Sequence, residues 1–355
     1  MTTHSVDLQY LVRALNDPDS SGRSQLVREY EEALAITFDA PQAVAVNSGS
    51  AAIETALYAV GVTPGRSVLV SAAAPLPTLM PIIASGARIA FVDSVVDSPG
   101  MDPADLAVQL DKNPDCAAAV EVALWGYPLS HQEEVASLLA AARVPLIEDA
   151  AHAHGSTVAG KSVGTLGAIG CFSTHRMKLL STGEGGFILT HSVELADSIR
   201  RYSRLSNLDG IHSARNFKPS AFTAAVGLTR LSAFAAEVST RRAKAALLYQ
   251  LLPAPLKREV GHIGAPNYYN LVVLVDDQVK ASRLHLALRV AGIETDPVRF
   301  RYRPGTEHQI TGQWARDCPN ARRLVACAIQ LPVGPTDDPV QIANSVAQAW
   351  NSLCE

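Results

Sequence analysis

Short apolar runs alternate with longer segments of helical period along the first half of this chain, and that alternation constrains its fold most. Residues 43–46, 68–71, 89–92, 118–122 and 145–148 are mostly apolar without an alternating polar face. Such runs mark strands buried on both sides. Between them, residues 51–60, 78–84, 103–110 and 132–142 carry helical spacing. A strand–helix–strand rhythm of this kind predicts a largely parallel sheet covered on both faces. Two more short strands are expected at 169–173 and 186–190, then a helix at 193–202 and a polar, irregular stretch at 203–219. A long Ala-rich helix follows from Ala221 to Leu251, and Pro253 and Pro255 mark a boundary. Beyond it, a strand at 270–275 and helices at 279–291 and 339–353 predict a smaller α+β unit.

The chain has 355 residues, enough for one large and one smaller domain. Its net charge of −4 gives no reason to expect nucleic acid as a partner. Apolar residues make up 48% and charged residues 18%, which fits a large buried sheet or an extensive subunit interface. The first residues lack the basic and apolar regions of a signal peptide. The most apolar stretch, 72–84, is broken by Pro75, Pro77 and Pro81. It falls short of a bilayer span, which takes about 20 residues. No membrane association is expected. Cys116, Cys171, Cys318, Cys327 and Cys354 are odd in number and form no C-x-x-C pair. Free thiols in a reducing cytoplasm are therefore expected, and no metal site.

The chemistry lies between residues 147 and 186. Ile147-Glu148-Asp149-Ala150-Ala151-His152 closes a strand. Phe172-Ser173-Thr174-His175-Arg176-Met177-Lys178 and Thr182-Gly183-Glu184-Gly185-Gly186 form a loop between two others, with Lys178 29 positions after Asp149. Pyridoxal phosphate chemistry needs such a pair. A lysine amine forms a Schiff base with the cofactor aldehyde, and a carboxylate keeps the pyridine nitrogen protonated so that the ring accepts electrons.

These motifs resemble those of the DegT/DnrJ/EryC1/StrS sugar aminotransferases. The resemblance runs from Gly22 to the C-terminus, strongest over 44–230 and weak after 290. It implies the α/β architecture of pyridoxal-phosphate-dependent transferases of fold type I. That is a mainly parallel seven-stranded sheet flanked by helices, with a smaller C-terminal α+β domain and an active site shared across a homodimer. The expected division is a large cofactor-binding domain over 1–250, with an N-terminal helical arm at 1–22, and a small domain over 251–355.

Lys178 matches the family's Schiff-base lysine, although most loop lysines are merely solvated. Asp149, at a strand's carboxyl end where α/β folds bind ligands, matches the partner of the pyridine nitrogen; capping a helix is its ordinary alternative. His152 falls near the cofactor's phenolic oxygen in relatives, or is a packed histidine. Asn47-Ser48-Gly49-Ser50-Ala51 follows a strand and opens a helix, so its N–H groups make a phosphate cradle or an ordinary capped start. Gly49, Ser50 and Ala51 are assigned to the phosphate, with Ser173 beside them. Asn216 matches an asparagine that reaches the phosphate of the other subunit, where a loop asparagine otherwise shapes a turn. His175, Cys171 and Trp125 have no task beyond buried packing.

Two places depart from the family pattern. Pro75 stands where most relatives stack an aromatic residue on the cofactor ring. Val298-Arg299-Phe300-Arg301-Tyr302-Arg303 replaces a substrate-facing His-Tyr-Pro stretch. If that segment is extended, Arg299, Arg301 and Arg303 share one face. They then bind an anionic acceptor or the donor's carboxylate, or line a solvated edge strand.

The expected activity is transfer of an amino group from an amino acid, by family habit L-glutamate, to a keto group of a sugar, nucleotide sugar or cyclitol in secondary-metabolite or polysaccharide biosynthesis. A deoxysugar dehydratase of the same family would carry histidine in place of Lys178. A silent regulatory homologue would have lost Lys178 or Asp149.

Overall fold

A computed structural model describes residues 8–354 apart from the side chains of Val298 and Cys354. The first seven residues of the expected arm lie outside the described residues. Helices α1 (Leu8–Asn16) and α2 (Gln25–Thr37) precede the sheet. Then come β1 (Gln42–Val46), α3 (Gly49–Ala59), β2 (Ser67–Ser71), α4 (Leu76–Ala84), β3 (Arg88–Val92), α5 (Pro103–Lys112), β4 (Cys116–Val122), α6 (Gln132–Ala141) and β5 (Leu146–Asp149). A two-stranded excursion, β6 (Thr157–Val158) and β7 (Lys161–Ser162), leads to β8 (Ile169–Ser173) and β9 (Gly186–Thr190). Helices α7 (Val193–Ser203) and α8 (Ala221–Leu251) follow. The remaining chain forms β10 (Leu271–Leu274), α9 (Gln278–Val290), α10 (Asp296–Phe300), α11 (Pro319–Cys327), β11 (Ala328–Leu331) and α12 (Pro339–Cys354).

The main sheet has seven strands in the order β1-β9-β8-β5-β4-β2-β3. Pairs from β8 to β3 are parallel, and β9 runs antiparallel to both β8 and β1. This is the mostly parallel α/β sheet the apolar runs predict. Strands β1, β2, β4, β5 and β8 therefore end at one edge. The loops after them carry Ser48, Pro75, Leu124, His152 and Lys178 to a common place.

One buried carboxylate of this sheet is matched on both oxygens. Glu148 is buried in β5, where burial raises its carboxyl pKa, and its oxygens accept from the N–H groups of Gly164, Leu166 and Gly167 and from Gln132 Nε2. The carboxylate thereby clamps the loop between β7 and β8. Two glycines permit close approach at the sheet edge. A Cβ on Gly49 would lie 2.7 Å from Ser173 Cβ, and one on Gly186 would lie 2.6 Å from the carbonyl oxygens of Ser48 and Phe172.

Helix α8, 31 residues, is the only described helix long and apolar enough by composition to cross a bilayer. It packs instead on α1 and α2 near its start and on α12 towards its end. The antiparallel pair β10–β11 sits with α9 and α12 around a core that includes Leu248 and Leu256.

The segment after Thr295 corrects the sequence reading. It is not a strand: Asp296–Phe300 is helix α10, with a proline in its first turn, and Arg301 closes it in the left-handed region at φ 51°. Proline suits a helix's first turn, so Asp296-Pro297 starts a helix and the Arg-x-Arg-x-Arg alternation is incidental. The three arginines consequently do not share a strand face.

Candidate active site

One cavity of about 590 Å³ opens at the carboxyl edge of the sheet, a volume within the range of small-ligand sites. Lys178, Asp149, His152, Gly49, Ser50, Ser173 and Pro75 all line it. Ala51 does not. Its N–H is taken by the Ser48 hydroxyl, 3.0 Å away, which caps α3. Among the described residues, the N–H groups of Gly49 and Ser50 meet no protein acceptor. These two amides, the hydroxyls of Ser50 and Ser173 and the positive end of α3 form an anion cradle.

The Asp149 carboxylate is held on both oxygens. Thr78 Oγ1, in the first turn of α4, donates to Oδ2 at 2.6 Å, and the Ala151 N–H donates to Oδ1 at 3.1 Å. Burial raises its pKa, while Thr78, Ala151 and the Lys178 charge oppose that rise. Thr78 is thus a site residue that the sequence reading missed.

The loop bearing Lys178 is pinned to itself. The Lys178 N–H donates to the His175 carbonyl at 2.8 Å, Arg176 N–H to Gly183 at 2.8 Å, and Thr182 and Thr174 hydroxyls lie 2.6 Å apart. Gly183 and Gly185 adopt φ of 86° and 149°, and a side chain on Gly185 would also strike the Thr174 hydroxyl. Burial pushes the Lys178 amine down to about 8, although the carboxylates of Asp149 and Asp296 favour its charged form.

Lys178 Nζ sits 5.1 Å from the centre of the Tyr269 ring, a cation–π distance. Tyr269 in turn stacks on His152, with centroids 4.3 Å apart and planes 4° from parallel. The Trp125 N–H donates to His152 Nδ1 at 3.2 Å. That bond leaves the ring proton on Nε2. Burial, reinforced by the Lys178 and His154 charges, holds His152 well below the usual histidine pKa. It is therefore a neutral imidazole that donates through Nε2.

Asn267 fixes this corner. Its Nδ2 donates to the carbonyls of His152 and His154 at 2.7 and 2.9 Å, and its Oδ1 accepts the Tyr269 N–H at 2.8 Å. Gly126, at φ 87°, leaves the space that the Asn267 amide fills. No sequence periodicity points to Asn267 or Tyr269, because their partners lie far upstream in the chain.

The other assignments divide. Asn216 is exposed and off the cavity wall; Lys218 Nζ donates to its Oδ1 at 2.6 Å. Of the three arginines, only Arg301 lines the cavity. Arg299 is exposed, lies 4.0 Å from Glu294 and stacks over Phe300, and Arg303 faces solvent. His175 is not buried packing: it is half-exposed on the wall, 3.7 Å from Glu184. Cys171 is buried and reaches the wall. Trp125 is fully buried, but its Nε1 donates to Asp296 Oδ2 at 2.8 Å. Asp296, Phe300, Tyr302 and His308 complete the wall from the far part of the chain.

A model of the DegT/DnrJ/EryC1/StrS aminotransferase family matches residues 4–348. This chain belongs to that family. It is 30% identical over 344 residues to the spore coat polysaccharide biosynthesis protein SpsC of Bacillus subtilis, covering 88% of this chain and 86% of that protein. It is also 30% identical over 232 residues to the UDP-4-amino-4,6-dideoxy-N-acetyl-beta-L-altrosamine transaminase of Campylobacter jejuni, covering 63% of this chain but only 61% of that protein's length. The solved structure of sugar aminotransferase CalS13 from Micromonospora echinospora superposes with a TM-score of 0.86 at 26% identity, covering 98% of each chain. Membership of this family implies pyridoxal phosphate as cofactor.

Proposed function

We propose that the protein is a pyridoxal-phosphate-dependent aminotransferase. It moves an amino group from an amino acid, L-glutamate by family habit, to a keto group of a sugar, nucleotide sugar or cyclitol in polysaccharide or secondary-metabolite biosynthesis. The observation that carries this reading is the meeting of Lys178, Asp149 and the α3 anion cradle in one cavity.

The residues present fit the cofactor. Gly49, Ser50 and Ser173 would hold its phosphate, Asp149 its pyridine nitrogen, His152 its phenolic oxygen through Nε2–H, and Lys178 its aldehyde carbon. When bound, pyridoxal phosphate supplies an electron sink that stabilises negative charge at the reacting carbon. Asp149 would keep the facing nitrogen charged, and Thr78 and the Ala151 amide hold the carboxylate in place. The Lys178 amine, once free, would hold or move a proton at the reacting substrate carbon. An amine poised near neutral pH suits this exchange in both directions. Pro75 offers a flat, rigid face where an aromatic side chain is usual. The reading further takes residues 1–250 as the cofactor-binding domain and 251–355 as the small domain, in a cytoplasmic enzyme.

The depressed Lys178 pKa has a measurable consequence. Only the neutral amine attacks an aldehyde, so capture of added pyridoxal phosphate by the apo protein is expected to speed up as pH rises and to level off above about 8. An unperturbed lysine would still be gaining reactivity beyond about pH 10. Stopped-flow absorbance from mildly acidic to strongly alkaline pH decides between them.

Asn216 faces solvent in its own subunit, as a residue that serves a partner subunit must. The shared-site homodimer is therefore part of the reading. Lys178→Ala and Asn216→Ala proteins are each expected to be impaired. Mixed dimers should regain one intact site, because both lesions then fall together in the other. Mixing verified by mass, with no recovery of turnover, would refute the shared site.

A further inference from the structure

Asp296 is the one carboxylate of the far part of the chain that lines the cavity, and its setting is unusual. Oδ2 is held by the indole N–H of Trp125, itself fully buried, at 2.8 Å. The Asp296 N–H donates to Gln330 Oε1 at 3.2 Å, and the neighbouring Thr295 hydroxyl lies 2.6 Å from His285 Nδ1. Pro297 then locks the backbone. The residue is only 9% exposed; the Lys178 charge favours its ionised form from a distance, but among the described residues it forms no close ion pair and only its Oδ2 takes a hydrogen bond. The usual reason for aspartate at a helix start does not apply: Thr295 occupies the cap position of α10, with no side-chain capping bond. Arg299, the closest arginine in sequence, is drawn towards Glu294 instead. That oxygen is not sealed off: it stays open to the cavity, where a ligand can supply the donor that the protein does not.

We infer that Asp296 selects the acceptor: its free oxygen takes a hydrogen bond from a hydroxyl or amine of a polyhydroxylated keto ring, and its charge disfavours a carboxylate at that position. This rests on the aminotransferase reading and narrows it. The acceptor presents a hydrogen-bond donor near its ketone, whether the ring is a free cyclitol or the sugar of a nucleotide sugar. A carboxylate-bearing ketone such as 2-oxoglutarate must place its charge elsewhere, and Arg301 is the arginine on the wall.

Asp296→Asn keeps the shape and can still accept from Trp125, but it removes the charge and turns an NH₂ group towards the ligand. The holoenzyme and this variant would be titrated calorimetrically with scyllo-inosose, UDP-4-keto-6-deoxy-N-acetylglucosamine and 2-oxoglutarate. The pyridoxamine form would be followed with the same ketones in single turnovers. Affinity for at least one of the two ring ketones should fall about 10- to 150-fold, the worth of one charge-assisted hydrogen bond. Binding of 2-oxoglutarate should hold or improve. A loss with scyllo-inosose alone identifies a free ring, and a loss with the nucleotide sugar alone identifies that source. Equal weakening of all three probes means a purely structural role and overturns the inference. So do unchanged affinities for the ring ketones, and so does a wild type that binds neither of them. A wild type that converts no amino-acid donor strikes the aminotransferase reading instead, and that half-reaction is measured without any acceptor.

Discussion

Lys178→Ala is expected to abolish amino transfer while the protein still folds and still binds the cofactor. The cradle of Gly49, Ser50 and Ser173 and the Asp149 carboxylate do not depend on the lysine side chain. What disappears is the covalent anchor and the group that moves the proton. Loss of the proton-transfer role alone costs about 10²–10⁴-fold in rate. Wild-type protein should be yellow, and borohydride followed by peptide mapping should place the reduced adduct on Lys178. The alanine variant should yield no adduct at all. An adduct on any other lysine, or turnover close to that of wild type, would remove Lys178 from the mechanism.

Asp149→Asn is the second large effect. The amide oxygen can still accept from Thr78, while its NH₂ loses the bond from the Ala151 N–H; the larger loss is the negative charge facing the ring nitrogen. Burial works against that charge, and Thr78, the Ala151 amide and Lys178 favour it. A cationic nitrogen opposite strengthens it further, and hydrogen bonds to charged groups are worth about 1.5–3 kcal/mol. At least about a tenfold fall in both half-reactions follows. The same variant should lower the pH at which the apo protein captures pyridoxal phosphate, because the Asp149 charge raises the Lys178 pKa. Wild-type kinetics in the asparagine variant would dismiss the assignment.

The sheet was legible because its central strands are buried on both sides and so read as unbroken apolar runs. Lys178 stood out only through the resemblance of its motif, since a loop lysine by itself is ordinarily a solvated charge. Three things were not legible. The N–H of Ala51 is consumed by the Ser48 cap, which only geometry reveals. The Arg-x-Arg-x-Arg alternation masked a helix start that Asp296-Pro297 encodes, so local spacing overrode the proline signal. Thr78, Tyr269 and Asp296 reach the cavity, and Asn267 braces it from behind, through tertiary closure, and no local period marks a residue whose partners lie far away in the chain. Asp296 in particular reads as a routine helix start until the Trp125 indole is seen beside it.

The corner where Asn267 binds the carbonyls of His152 and His154 and positions Tyr269 bears on how the molecule assembles. Lys178 is in place once β8 and β9 pair, but the ring beneath it arrives from residue 269 and the wall beyond it from residues 296–308. Closing loops of that length is slow relative to local pairing, because chain entropy is lost before any contact compensates. A partly folded chain therefore presents a lysine and a phosphate cradle without a roof. Cofactor colour that appears late in refolding, after the bulk of the helix signal, would mark the moment the two distant parts of the chain meet.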